Sequence, residues 1–444
     1  MFKKELTLII LLVVACSKIE PIGKPIEPTI EIDFTKTIGG SLNEKGCSIV
    51  KDISGGYTIL GHVQSMDGDI ENKMNDSFDY WLLKYNSSHS LLWQKNLGGS
   101  LEDKGAKIIK TNNDGYAVIG YSKSSDGDVS ENNGANDFWM CLLNSNGNII
   151  WEQSYGFLGA DIGNTLIQTQ DNGFLLTGVL DVSASNGQGN SKTSRARRHA
   201  GGDYWAVKLD EQGNKEWSRY YGGTFTDTPN DVLQTPDLGY LIVGSSDSND
   251  VDIKNNKGSY DIWIIKISES GDLIWEKSFG GSQIDEGYAI TNSSDGHYLI
   301  AGDTRSNDMD VSTNNGASDL WVIKIAEDGN LIWEKTFGGT SFDSGRSISK
   351  TQDGGFILSG SSRSLDGDLT SNNGQNDAWI LKIDSNGNLL WQRTLGGSQI
   401  DIAYSAIELE DRSILAIGES ASSDGDISAN KGFSDLLIFK TKSL

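Results

Sequence analysis

The chain is poor in the residues on which exported scaffolds and many active sites depend. Its 444 residues include three cysteines, five prolines and four histidines. Cys47 and Cys141 occur in unlike surroundings, so no disulfide framework is expected and both read as small buried hydrophobes. His62, His89, His199 and His297 share no spacing that would build a nucleophile–base set or a histidine metal site. Positive charge is also scarce. Lys and Arg number 37 against 61 Asp and Glu, a net charge of −24 that repels nucleic acid and anionic lipid and favours cations, or serves solubility alone. The 36% hydrophobic content, with 53 glycines, is nonetheless too high for a disordered chain and suits many short strands joined by glycine turns.

The N-terminus stands apart. Lys3 and Lys4 precede an apolar stretch from Leu6 to Val14, about the length of a signal-peptide core and too short to cross a bilayer. Val13-Val14-Ala15-Cys16 follows, and it resembles the bacterial lipobox. That resemblance implies cleavage before Cys16 and lipidation of Cys16, with residues 1–16 as signal peptide; the alternative is an ordinary secretory signal with a chance cysteine. Residues 17–29 hold three of the five prolines and read as an extended tether.

The rest, residues 30–444, is repetitive. Trp93, Trp151, Trp217, Trp275, Trp333 and Trp391 are spaced by 58 residues except for one interval of 66, where a repeat carries an insert at about 185–202. Trp81, Trp139, Trp205, Trp263, Trp321 and Trp379 form a second series, so all twelve tryptophans lie on the repeat lattice and read as core rather than as a ligand-binding patch. Within one copy, Leu320–Ile325, Leu331–Phe337, Arg346–Thr351 and Phe356–Gly360 are β-rich runs separated by turn dipeptides. Four strands per repeat predict an all-β propeller. A glycine marker recurs seven times, at Gly39, Gly98, Gly156, Gly222, Gly280, Gly338 and Gly396. From Gly396 to Leu444 only 49 residues remain, too few for four strands. Residues 30–38 align with Leu331–Phe337, with Phe34 in the tryptophan's place. A seven-bladed β-propeller of four-stranded blades is therefore expected, its ring closed by the N-terminal strand; eight blades or an open solenoid are the alternatives.

Lys382-Ile-Asp-Ser-Asn-Gly-Asn-Leu-Leu-Trp391 resembles the repeat of pyrroloquinoline-quinone-type propellers, and Asp210/Gly213/Trp217 repeats the match. The likeness covers about ten residues per blade and implies blade docking rather than chemistry, since no adjacent cysteine pair or cofactor constellation accompanies it. The array as a whole resembles bacterial β-propeller-repeat lipoproteins, which implies an exported, lipid-anchored protein at an outer membrane or cell surface.

Strand alternation places the short turns on one face and two long loops per blade on the other, where binding residues usually sit. One long loop carries Asp-Gly-Asp. In the copy beginning at Asp366, oxygen side chains recur at Asp366, Asp368, Thr370 and Asp377, a spacing similar to that of calcium-binding loops. Asp126, Asp128, Ser130 and Asp137 repeat it, as do Asp308, Asp310, Ser312 and Asp319, and Asp424, Asp426, Ser428 and Asp435. Calcium is one reading; the other is turn capping by Asp side chains. A second acidic series, Glu44, Asp103, Asp161, Asp227, Asp285, Asp343 and Asp401, reads as a carboxylate ring for a cation or basic partner, or as loop hydrogen bonding. The insert carries Arg195, Arg197, Arg198 and His199 and reads as a solvated loop or a docking site for an acidic partner. No catalytic residue is singled out. The expected function is non-catalytic binding or scaffolding of a protein or glycan at the long-loop face, with the membrane reached only through the lipid anchor and no nucleic-acid partner. A polysaccharide-active hydrolase using paired carboxylates is the alternative.

Overall fold

In the computed structural model, residues 30–191 and 199–443 are described. The signal peptide, Cys16, the tether and the three insert arginines lie outside them. Every regular element among the described residues is a β-strand, and the strands form seven antiparallel sheets of four. Each sheet is a blade, and neighbouring blades pack around a ring, as expected.

The innermost strands are Glu44–Lys51, Asp103–Lys110, Ile162–Gln168, Asp227–Gln234, Asp285–Asn292, Asp343–Lys350 and Asp401–Glu408. They begin earlier than the β-rich run suggested: the sixth starts at Asp343 rather than Arg346. The cause is the neighbouring blade, whose Ser318 carbonyl accepts a 2.8 Å hydrogen bond from the Asp343 amide and draws the chain into pairing.

Closure occurs as the repeat arithmetic required. Strand Ile32–Ile38 pairs antiparallel with Asp435–Thr441, completing the seventh blade. Phe34 lies opposite Lys440, just as Trp217 lies opposite Lys208. This joins the two ends of the chain in one sheet and leaves the circle of blades without a gap.

Both tryptophan series are structural. Trp81, Trp139, Trp205, Trp263, Trp321 and Trp379 are fully buried. Members of the other series stack on a turn glycine of the next blade. A Cβ on Gly147, Gly271, Gly329 or Gly387 would approach Trp93, Trp217, Trp275 or Trp333 to within 3.0 Å. These glycines also hold φ of 74–79°, where side chains are strained. At the closure, the pair changes together: Phe34 meets His89, with ring centroids 5.1 Å apart, and His89 carries φ 58°. Each hydrophobic cluster draws on adjacent blades. Trp81 and Leu83, for example, pack with Leu415, Ile417 and Leu436. Burial thus belongs to blade pairs, which makes the ring the unit of stability.

Candidate functional site

The repeated carboxylates are spent inside the long loops. Asp103 accepts from the Gly99 amide at 2.7 Å and the Ser124 hydroxyl at 2.9 Å, and from the Ser122 hydroxyl. Glu44 accepts from the Gly40 and Ser65 amides at 2.8 and 3.0 Å. All seven members of this series are completely buried, so loop hydrogen bonding, rather than a ring open to the channel, is their use.

The Asp-Gly-Asp loops clamp the same glycine loops. Asp126, Asp308, Asp366 and Asp424 accept from the amides of Ser100, Ser282, Thr340 and Ser398 at 2.7–2.8 Å. Asp128, Asp310, Asp368 and Asp426 accept from Gly98, Gly280, Gly338 and Gly396 at 3.1–3.4 Å. Asp137, Asp319, Asp377 and Asp435 each cap an amide four residues earlier at 2.6–3.1 Å. Ser312 bonds Glu334, Thr370 accepts from Gln392 at 3.4 Å, and Ser130 and Ser428 are exposed. Among the described residues, no group of three or more His, Cys, Asp and Glu side chains is arranged to hold a metal ion.

One feature of these junctions is electrostatically costly. In Asp79, Asp137, Asp203, Asp261, Asp319, Asp377 and Asp435, the oxygen Oδ1 is buried with no hydrogen-bond partner among the described residues. At Gly338, Asp319 Oδ1 and Asp343 Oδ2 crowd one spot, 2.6 and 2.7 Å from where a Cβ would stand. Burial, then repulsion from Asp343 and Asp368, pushes the Asp319 carboxyl up to about 7. Burial and Asp203 push Asp227 up to about 8. Carboxyls held this way favour the proton and are enclosed, which removes them from contact with a polysaccharide.

The accessible site lies elsewhere. Innermost strands from all seven blades surround a central cavity of about 650 Å³. Every one of these strands is bulged three residues after its repeated acidic position. The residue left out of register is Cys47, Ala106, Asn164, Asn230, Tyr288, Arg346 or Tyr404 in blade order. A bulge turns its residue away from the pleat and is common beside functional sites. These seven side chains are half-buried and line the cavity. The repeat pattern does not mark them, because a repeat is defined by what its copies share. Aligning the copies and reading the column that varies would have exposed them.

The cavity is chemically lopsided. On one side Arg346 lies over the Tyr288 ring at 4.1 Å, and Lys45 over the Tyr404 ring at 3.5 Å. Lys104 follows, over Phe78 at 4.1 Å. On the other side Asn164 and Asn230 donate to the Pro229 and Gly287 carbonyls, both at 2.7 Å. Lys107 reaches from the second blade to Asp231 of the fourth at 3.2 Å, and Thr165 and the Ile290 amide also donate to Asp231 at 3.1 Å. Val50, Ile109 and Ile407 line the short-turn end.

Cys47 is the one cysteine that departs from expectation, since it is half-buried in this cavity beside His62 at 3.6 Å. Burial drives the thiol up to about 11 and the imidazole down to about 3. Both are neutral near pH 7, the opposite of a thiolate–imidazolium nucleophile. His199 pairs with the buried Asp203. The insert also replaces a repeated contact: Trp205 donates to the Gly189 carbonyl at 3.0 Å, where Trp139 and Trp321 donate to Glu152 and Glu334.

No family model matches the chain. A curated relative, the regulatory protein FlaEY of Caulobacter vibrioides, is 23% identical over 224 residues, which is 47% of this chain. The chain spans 23% of that protein's length. Among solved structures, Sqt1 from Chaetomium thermophilum matches 88% of this chain and 83% of its own at 11% identity, with a TM-score of 0.44. BBS1N, solved in complex with ARL6DN, matches 93% and 96% at 10% identity, with a TM-score of 0.47.

Proposed function

We propose that the chain is a non-catalytic binding module of the bacterial cell envelope, anchored through lipid on Cys16, which engages its ligand at the long-loop end of the central channel. A ring of near-identical blades supplies rigidity, and the observation that carries the reading is where the repetition stops. Buried carboxylates, turn glycines and tryptophans recur blade after blade, whereas the bulged channel column changes from Cys to Ala, Asn, Tyr and Arg. Positions under a common packing constraint repeat; positions that meet an asymmetric ligand need not. The acidic loops around the mouth would repel anionic polymers and admit ligands that reach the cations within. No nucleophile–base pair supports a reaction at this site.

The test is crosslinking on living cells with the parent and with Ala106→Trp, which fills the channel without touching the loops. Capture of a protein or glycan by the parent and its loss in the variant is the expected result. Equal capture by both would move the site off the channel, and release of reducing ends from a glycan library would make the module an enzyme.

A further inference from the structure

We infer that the channel recognises a carboxylate, carried by a ligand the size of an acidic monosaccharide; this rests on the channel being the binding site. The argument starts from Lys45. No carboxylate among the described residues lies within salt-bridge distance of its ammonium, which is fixed instead over the Tyr404 ring. Arg346, one blade beyond Tyr404, has only a long contact of 3.9 Å to Asp303 and is steadied over Tyr288. Two cations from the sixth and first blades thus flank one tyrosine, both held by aromatic faces. This arrangement orders them without neutralising them.

The acids behind them are engaged. Glu419 accepts the Tyr404 hydroxyl at 2.7 Å, and Glu286 accepts that of Tyr288 at 3.1 Å. Lys104, the third cation, is 3.5 Å from Glu102. The fourth, Lys107, is paired with Asp231 across the channel. An unmatched Lys45 beside a weakly matched Arg346 in a cavity of about 650 Å³ calls for an anion that both reach. On the opposite wall the amide nitrogens of Asn164 and Asn230 are already donating. Their carbonyl oxygens therefore remain to accept from hydroxyl groups. Charge at one end and hydroxyls at the other is the pattern of a sugar acid.

Calorimetry on the full-length protein would use D-glucuronate, succinate and D-glucose as probes. We expect glucuronate to bind one per chain and glucose to give no heat. Lys45→Gln and Arg346→Gln should each weaken glucuronate by about tenfold, the worth of one charge-assisted contact. Lys45→Arg should restore most of it, which a variant damaged in folding would not. Succinate binding as tightly as glucuronate would keep the carboxylate and remove the sugar. Glucose binding as tightly as glucuronate, unchanged affinity in Lys45→Gln, or no binding of either acid at millimolar concentration would overturn the inference. If the acids fail while Ala106→Trp still abolishes capture on cells, the channel remains the site and only its ligand class falls.

Discussion

At the residue scale, the carboxylates of this protein act mainly as acceptors for backbone amides. Asp366 and Asp368 together hold three donors of the facing glycine loop, the amides of Thr340 and Gly338 and the Thr340 hydroxyl. Replacing both with Ala leaves these groups to water, at a cost of about 1–3 kcal/mol by analogy with lost caps and unmet donors. Thermal unfolding of the double variant should show that loss equally in chelator and in millimolar calcium. A loss confined to calcium would make the ion, rather than the amides, their partner. The aspartates that open the neighbouring strands, Asp319 and Asp377 among them, meet another fate, because Oδ1 is buried with no hydrogen-bond partner among the described residues. That difference comes from packing and has no trace in residue type.

At the scale of one strand, Ile32–Ile38 bears the ring. It supplies the fourth strand of the seventh blade, and Ile30, Ile32, Phe34 and Ile38 enter the clusters on either side of the closure. Deleting residues 30–38 exposes the edge of Asp435–Thr441 and uncovers Trp391, which is 3% exposed in the closed ring. Burial of a few large side chains puts the destabilisation at several kcal/mol, about 2 kcal/mol for each residue removed from the core. The melting temperature should fall sharply and the truncated chain should self-associate through the free edge, which light scattering would report. An unchanged melt would dissociate closure from stability. This strand was legible in the sequence because the residues after the last of seven glycine markers are too few for four strands, and residues 30–38 match the strand that is missing.

At the scale of the molecule, the carboxyls shared between blades couple stability to pH. Asp227 at about 8 and Asp161 and Asp319 at about 7 are raised chiefly by burial, and Asp79, Asp203, Asp261, Asp377 and Asp435 at about 6 follow for the same reason. Unfolded aspartates titrate near about 4, so across about pH 4 to 8 the folded chain holds more protons than the unfolded one. Its stability is therefore greatest at the acid end of that window and declines as pH rises through the folded values. Asp237, held at about 2 by its hydrogen bond from Lys266, opposes this trend only below about pH 4, and His62, held at about 3 by burial, opposes it up to about pH 6.5 but is one group against eight aspartates. Melting temperatures should be higher at pH 5 than at pH 8, and Asp227→Asn, which retains an acceptor, should flatten the slope. A melt rising from pH 5 to 8 would remove the buried-carboxyl account. Cell attachment is testable at the same scale: Cys16→Ser should leave the protein in the aqueous phase of a detergent partition, and continued membrane partitioning would sink the lipid anchor.

The sequence by itself determined the ring. Seven glycine markers, two tryptophan series and an orphan N-terminal strand follow from local turn chemistry and strand alternation, and both are written along the chain at a fixed period. Even the Phe34–Lys440 register could be read from the alignment of residues 30–38 with an ordinary outer strand. Only the tertiary structure decided which acids face solvent, which face one another, and which residues face the axis. Glu44 and Asp435 lie at opposite ends of the chain and share a junction because the circle closes. Lys45, Arg346 and Tyr404 meet because three innermost strands converge at the channel, where bulges in two of them re-aim Arg346 and Tyr404. A periodic pattern records the forces that each blade feels alike. The channel is where seven blades contribute unlike side chains to one volume, and that proximity exists only once the ring has formed.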